Sequence, residues 1–221
     1  MEISYPIRIN KYLRDKGLAS RREADKLVEA GLVFINGKRV DNGTLVNEKD
    51  DVTVKAGGNP KEYKYLAYYK PRGLATQNLS GKPSVITEWR PKGLYPIGRL
   101  DKESEGLLLL TNDGRFAREI LSDSNKYEKE YVVSVKEPLK RGVVAIFEGG
   151  MDTVAFGKLM PAKTRLINEH TLRVILQEGK RHQIRVMLNE LHYTIISLKR
   201  VRIGNIKIED LKSGENRPLS F

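Results

Sequence analysis

Two strand-like segments separated by a short polar stretch constrain the fold of this chain more than any other feature. Residues 93–101, GLYPIGRLD, predict a turn and a strand, and residues 106–114, GLLLLTNDG, predict the next strand and its closing turn. Asp101 lies in the polar stretch between them, where a side chain can face a cleft. Its carboxylate is therefore a candidate reagent, and the alternative is a turn residue that only hydrogen-bonds its own backbone.

The chain beyond residue 62 predicts short strands interleaved with a few helices. Helices are expected at residues 116–122 and 181–191, and a mostly helical stretch is expected between residues 135 and 159. Further strands are predicted at residues 63–71, 130–135, 159–167, 171–179 and 197–208. This pattern indicates an α+β domain built on a mixed, largely antiparallel β-sheet.

The first sixty residues predict a separate unit of two helices and a hairpin. Residues 8–17 favour one helix, and residues 20–31 favour a second that opens with Ser20 and Glu23 as a capping box. Residues 33–40, VFINGKRV, predict two short strands around an Asn-Gly turn. The basic side chains of this unit are candidate phosphate ligands, and the alternative is an ordinary solvated surface. They are Arg8, Lys11, Arg14, Arg21, Arg22, Lys26, Lys38 and Arg39.

The charge of the whole chain indicates a polyanionic partner. Lys and Arg number 40 against 28 Asp and Glu, which gives a formal net charge of +12. An excess of this size is typical of proteins that bind nucleic acid, although solubility alone is the other explanation.

Several classes of chemistry are not expected from the composition. The chain has no cysteine, which excludes disulfides, thiolate metal sites and thiol nucleophiles, and its three histidines have no recognisable ligand spacing. We therefore expect no metal. The N-terminus lacks an apolar signal core, and the longest apolar run has four leucines, so a soluble cytoplasmic protein with no membrane contact is predicted.

Three motifs supply groups that could act on a nucleic acid. Arg99 and Lys102 beside Asp101 favour an ionised carboxylate, which can act as a nucleophile or a base without a cofactor. Tyr131 opens a strand and could stack on an extruded base, although a core aromatic is the commoner case. Residues 177–188 combine a glycine before a helix with a cluster of basic side chains, which alone indicates only a basic patch. They are Lys180, Arg181, His182 and Arg185.

These motifs, taken in order, resemble the pseudouridine synthases. Residues 6–55 are similar to the S4-like RNA-binding domain, through SRREAD and VFINGKR. The remaining chain resembles the S4-bearing branch of the family, the RsuA-like and RluB/RluF-like enzymes, and looks most like the RluF-like members. The motifs that carry this resemblance are YKP-x-G (69–73), YPIGRLDKESEGLLLLTNDG (95–114), KEYVV (129–133), EGKRHQIR (178–185) and LKSGENRPLS (211–220).

The resemblance implies roles for five residues. Asp101 matches the essential aspartate of the family, and Arg185 matches the basic residue that pairs with it. Tyr131 matches the tyrosine that packs on the uracil and is proposed to help remove the C5 proton. Ile184 matches the aliphatic residue of the base pocket, and Arg99 a residue that opens the helix or holds the flipped nucleotide. Lys180 and Arg181 are expected to contact RNA. The aspartate either attacks the sugar or forms a glycal by taking a C2′ proton.

The implied protein is a cofactor-free isomerase that converts uridine to pseudouridine in ribosomal RNA. A large-subunit stem-loop is favoured over small-subunit rRNA or tRNA. Val186 and His192, near the RNA-facing helix, depart from the branch pattern. An S4-like domain at residues 1–58, a linker at 59–63 and a catalytic domain at 64–221 are expected, in a monomer.

Two other functions are consistent with parts of the sequence. The S4-like domain and the net charge would suit an RNA chaperone or assembly factor with an idle catalytic domain. Asp101, Glu103 and Glu105 could instead serve a metal-dependent nuclease, since divalent cations bind clustered carboxylates. A solvated loop is the simpler explanation for the two glutamates.

Overall fold

The computed structural model describes residues 4–55, 62–77, 80–122 and 127–220. Its contacts divide the chain into two compact units. The N-terminal unit contains residues 1–63 and 113–118, and the large unit contains residues 64–112 and 119–221. Residues 59–61 of the expected linker lie outside the described residues.

The N-terminal unit confirms the two helices and the hairpin. Its elements before residue 56 are β1 (Ile7–Arg8), α1 (Ile9–Asp15), α2 (Arg21–Glu29), β2 (Val33–Ile35), β3 (Lys38–Arg39), β4 (Leu45–Val46) and β5 (Val52–Val54). The backbone N–H of Glu23 donates to Ser20 Oγ, and the backbone N–H of Ser20 donates to the Glu23 carboxylate at 2.9 Å. Asn36 and Gly37 both have positive φ, which suits the tight turn between β2 and β3.

Eleven strands and four helices make up the rest of the described chain. The strands are β6 (Tyr65–Lys70), β7 (Tyr95–Ile97), β8 (Glu105–Thr111), β9 (Lys129–Val135), β10 (Asp152–Thr153), β11 (Gly157–Lys158), β12 (Lys163–Asn168), β13 (Thr171–Leu176), β14 (Ile195–Ile203), β15 (Ile206–Lys207) and β16 (Asn216–Pro218). The helices are α3 (Val85–Trp89), α4 (Gly114–Leu121), α5 (Gly142–Glu148) and α6 (Gln183–Glu190), with a 3₁₀ turn at Arg90–Lys92. No helix of the described residues is long and apolar enough to cross a membrane.

A nine-stranded sheet organises the large unit. Seven strands follow the order β12-β13-β9-β14-β8-β6-β16, while β15 pairs with β14 and β7 with β8. Among the described residues only the β14–β8 pair in this sheet is parallel. The α+β class and the mixed, largely antiparallel sheet are therefore confirmed.

The expectation of a mostly helical stretch before residue 159 is only partly correct. Helix α5 ends at Glu148, because Gly149 and Gly150 follow it and Gly150 has a φ of 73°. The chain then forms the short β10–β11 hairpin. Its two-residue strands are too short to give a recognisable alternation of apolar and polar residues.

Gly106 occupies the junction of β6, β8 and β14. It lies opposite Arg200 of β14 and opposite Lys70 of β6, and Arg200 in turn lies opposite Tyr131 of β9. Gly106 has a φ of 104°, and a Cβ atom there would overlap the backbone carbonyl oxygen of Arg200. Only glycine therefore permits this close approach of β8 and β14.

Gly106→Ala is expected to lower the free energy of unfolding by roughly 2–4 kcal/mol, because the substitution adds both backbone strain and an overlap with β14. Gly73→Ala is the matched control, since Gly73 has a φ of 85° but a Cβ atom added there would meet no heavy atom within 4 Å. The control should lose only about 1 kcal/mol from the positive φ. Urea unfolding of both variants measures the difference, and equal losses would contradict the overlap.

Candidate active site

Asp101 lies in a segment that is fixed at both ends. Before it, the buried Thr76 hydroxyl donates to the carbonyl of Leu100 at 2.6 Å and accepts from the N–H of Leu100 at 3.0 Å. After it, the backbone N–H of Ser104 donates to the carbonyl of Asp101 at 3.1 Å. The segment therefore crosses from β7 to β8 as an ordered turn, although it contains no strand residues of its own.

Two side chains from the start of α6 face the Asp101 carboxylate. Arg185 Nε lies 3.6 Å from Asp101 Oδ2, and His182 Nε2 lies 3.4 Å from Asp101 Oδ1. Arg185 Nη2 also donates to Ser104 Oγ at 2.8 Å, so one guanidinium contacts both the carboxylate and its supporting turn. The side chain of Asp101 is 31% exposed, which leaves the carboxylate open to a ligand.

The basic side chains closest to the Asp101 carboxylate come from the start of α6 and not from its neighbours in sequence. In the part of the chain that the structure describes, its partners are Arg185 and His182, and neither Arg99 nor Lys102 pairs with it. Arg99 and Lys102 line the same cleft as Asp101, but neither lies within ion-pair distance of its carboxylate. The cation beside the carboxylate comes instead from a helix more than eighty residues later.

A cleft of about 680 Å³ collects the proposed site residues of the large unit. Its lining includes Arg99, Asp101, Tyr131, Lys180, Arg181, Ile184 and Arg185. Ile184 is buried in the apolar core beneath the cleft, whereas Arg99 and Arg181 are exposed. The structure thus brings together every residue that the sequence placed at the chemical centre, and all of them belong to the large unit.

The Tyr131 side chain contacts both the cleft and the apolar core. It stands opposite Arg200 on β14 and Val174 on β13, is half-buried, and packs against the apolar cluster of the sheet. Its ring also lines the cleft. Stacking on a base and core packing are therefore compatible uses of the same side chain.

A buried amide fixes the turn that leads into α6. Gln183 Nε2 donates to Glu178 Oε1 at 2.7 Å, and the backbone N–H of Lys180 donates to Gln183 Oε1 at 3.1 Å. His182, the residue immediately before α6, lies in the left-handed region with a φ of 58°. This conformation turns the chain so that His182 and Arg185 both face Asp101.

Two family models match the chain. The S4 domain model matches residues 7–52, and the model described as RNA pseudouridylate synthase matches residues 64–190, which is more than half of the chain. The chain belongs to the RNA pseudouridylate synthase family. The resemblance seen in the sequence motifs is therefore confirmed.

Named relatives and a solved structure agree with this assignment. The chain is 35% identical to the dual-specificity RNA pseudouridine synthase RluF of Escherichia coli K12, over 97% of this chain and 76% of the relative. It is 33% identical to the ribosomal large subunit pseudouridine synthase B of Bacillus subtilis, over 96% and 90% respectively. A crystal structure of a pseudouridylate synthase superposes with a TM-score of 0.72 at 27% identity, covering 97% of this chain and 96% of that one.

The nuclease alternative for this synthase lacks a suitable site in the described residues. Glu103 pairs with Arg72 at 3.5 Å, and Glu105 accepts a hydrogen bond from the Tyr69 hydroxyl at 2.8 Å. Across the described ranges, no group of three or more Asp, Glu or His side chains is arranged to hold a metal ion.

The basic residues of the N-terminal unit lie on its surface. All of them are exposed except Arg14, which is half-buried and forms an ion pair with Asp15 at 2.7 Å. A neighbouring carboxylate therefore already occupies part of the Arg14 guanidinium. The set is Arg8, Lys11, Arg14, Arg21, Arg22, Lys26, Lys38 and Arg39.

Sequence reasoning missed a buried lysine beneath the site. Lys70 is fully buried, and its Nζ donates to the carbonyls of Pro71 at 2.7 Å and Leu74 at 2.6 Å. Burial lowers the pKa of Lys70 to about 8, although the nearby carboxylates of Asp101 and Glu103 oppose this shift. A YKP motif alone does not show that its lysine is buried, because lysines are rarely buried.

The lowered pKa of Lys70 predicts a pH-dependent stability difference. In the unfolded chain this lysine keeps its proton to about pH 10.5, whereas in the folded state it loses it near pH 8. The unfolded state therefore binds more protons between these values, so stability rises with pH there. Between about pH 8 and pH 10 the wild type should gain about 2 kcal/mol relative to Lys70→Met. Urea unfolding across this range measures the gain, and a difference that stays constant with pH would refute it.

Proposed function

We propose that this protein isomerises a uridine of ribosomal RNA to pseudouridine without a cofactor. The observation that carries the proposal is the cleft in which Asp101 and Arg185 pair beside Tyr131, in a chain of the pseudouridylate synthase family. The names of the relatives support it, since both are pseudouridine synthases and one is named for the large ribosomal subunit. A large-subunit stem-loop is accordingly the first target, before small-subunit rRNA or tRNA.

The reaction needs few groups because substrate and product are isomers. The N1–C1′ bond of the uridine breaks, the uracil turns, and a C5–C1′ bond forms. The C5 proton leaves and N1 gains a proton, so nothing is oxidised and no group is supplied from outside. Asp101 can begin the sequence either by attacking C1′ or by taking a proton from C2′.

The other cleft residues hold the nucleotide in place for this chemistry. Extruding a base from a stem costs a few kcal/mol, and stacking on the Tyr131 ring offsets about 1–3 kcal/mol of it. Ile184 forms the apolar wall of the base pocket, and Arg99 holds the flipped nucleotide or occupies the gap that it leaves. Tyr131 also helps to remove the C5 proton. Lys180 and Arg181 contact the backbone phosphates, and Arg185 orients the carboxylate of Asp101.

The N-terminal unit positions the RNA and performs no chemistry. Its exposed basic side chains suit phosphate contacts, which fix the register of a structured RNA without reading its sequence. We assign the S4-like domain to residues 1–58, the linker to 59–63 and the catalytic domain to 64–221. The protein acts as a cytoplasmic monomer in this proposal.

Tritium release tests the activity directly. Isomerisation detaches the C5 hydrogen, so ribosomal RNA carrying [5-³H]uridine should release tritium to water when it is incubated with the purified protein. RNA from cells that lack the gene is the substrate, and mapping pseudouridine in RNA from cells with and without the gene locates the target. An absence of both tritium release and any gene-dependent pseudouridine would overturn the proposal and favour an RNA-binding assembly factor.

A further inference from the structure

We propose that Arg200 of β14 is a positioning residue for Asp101, which acts by holding both ends of the segment that carries this aspartate. The inference rests on the proposed isomerase function. It adds a residue from the last long strand of the sheet to a site whose other members come from β9, α6 and the β7–β8 turn.

The hydrogen bonds of Arg200 connect the two ends of the Asp101 segment. Its Nη1 lies 3.4 Å from the carbonyl oxygen of Arg99, two residues before the aspartate. Its Nε donates to the carbonyl of Leu107 at 2.8 Å, six residues after the aspartate. The planar guanidinium fixes the relative positions of these two carbonyls, because its donors have a rigid geometry. Asp101 lies on the loop between them.

The register of the sheet explains why the side chain reaches this loop. Arg200, Gly106 and Lys70 occupy successive positions across β14, β8 and β6, and Tyr131 lies on the other side of Arg200. Gly106 has no side chain, which lets the backbone of β14 at Arg200 approach β8 closely. The Arg200 side chain lines the cleft beside Tyr131, which places it between two proposed site residues.

Burial of Arg200 is not explained by a gain in stability. The residue is 5% exposed, and its Nη2 is buried with no hydrogen-bond partner among the described residues. Lys70 lies close enough for the two positive charges to repel each other. An incompletely paired buried charge can often be replaced by an apolar side chain of similar size with little loss of stability. A positioning role accounts for a group that stability alone does not require.

Arg202, two residues later on the same strand, provides a matched control. It forms ion pairs with Glu130 at 2.6 Å and Glu128 at 3.0 Å, and it does not line the cleft. Arg200→Lys and Arg202→Lys therefore make the same change on one strand, once beneath the Asp101 segment and once away from it.

Steady-state tritium release from labelled rRNA tests the role in turnover. Arg200→Met should lower kcat at least about thirtyfold and leave KM within about threefold, because the variant binds RNA but misplaces the carboxylate. Arg200→Lys, which can reach one of the two carbonyls, should recover part of the lost kcat. Arg202→Lys should leave kcat within about twofold of the wild type. The melting temperature of Arg200→Met should stay within about 3 °C of the wild type, since the lost charge is poorly paired.

Hydrogen exchange tests positioning without reference to activity. Backbone amides of residues 99–107 should exchange faster in Arg200→Met and in Arg200→Lys than in the wild type, and should be unchanged in Arg202→Lys. Unchanged exchange in the Arg200 variants, or a loss that falls on KM alone, would overturn the proposal. A wild type that releases no tritium would refute the isomerase function, while the exchange measurement would still support or refute the role of Arg200.

Discussion

Asp101→Asn is expected to lose at least about a thousandfold in kcat for pseudouridine formation, with RNA affinity within about threefold of the wild type. The amide has the shape of the carboxylate, but it can neither attack the sugar carbon nor take a proton. Both possible first steps of the reaction therefore fail. Tritium release from labelled rRNA measures the loss, and fluorescence anisotropy with the same RNA measures the affinity.

Glu103→Gln is the matched control for this substitution. Glu103 lies two residues away in the same turn and pairs with Arg72 on the surface, so the variant removes a carboxylate that the reaction does not use. Its kcat should stay within about twofold of the wild type. Equal losses in the two variants would show that the turn depends on its total negative charge, and normal turnover by Asp101→Asn would refute the assignment of Asp101.

Arg185→Met is expected to lower kcat about a hundredfold, the second largest effect at this site. The change removes the cation beside Asp101 and also the hydrogen bond to Ser104 Oγ, so the carboxylate loses both its charge partner and its support. Arg185→Lys should lose about tenfold, because the ammonium keeps the charge but cannot make both contacts in one plane. Single-turnover measurements at saturating RNA isolate these effects on the chemical step.

Two further variants separate the functions of Arg185. Ser104→Ala keeps the ion pair and removes only the hydroxyl that accepts from Arg185, so it should lose less than Arg185→Met. Arg181→Met removes an exposed cation of the same cleft and should raise KM while leaving kcat nearly unchanged. A larger change of kcat in Arg181→Met than in Arg185→Met would contradict the pairing with Asp101.

The sequence predicted helix starts and tight turns correctly, because short-range interactions determine them. The capping box of Ser20 and Glu23 and the Asn36-Gly37 turn each depend on residues within a few positions of one another. Asp101 and Arg185 were identified differently, through ordered motifs. The motifs placed Arg185 beside Asp101, and the structure has the two side chains 3.6 Å apart.

The contacts that sequence reasoning missed depend on strand register. Lys70, Gly106 and Arg200 are adjacent only because β6, β8 and β14 pair at particular positions, and periodicity within one strand does not reveal such pairing. Residue type also gives a wrong expectation of exposure, since lysine and arginine are usually exposed whereas Lys70 and Arg200 are buried. Thr76 was missed because its hydrogen-bond partner, Leu100, lies 24 residues later in the chain, beyond the reach of local sequence patterns.

The parallel pairing of β14 with β8 also sets the order in which activity can arise during synthesis. The hydrogen bond from Arg200 to the carbonyl of Leu107 joins residues 93 positions apart, and Arg185 precedes the same strand. Contacts this distant form late, because the loop between them must close first. A nascent chain that ends before β14 contains Asp101 and Tyr131 but lacks the strand that holds them. Strand β14 must therefore be synthesised before the site around Asp101 can form.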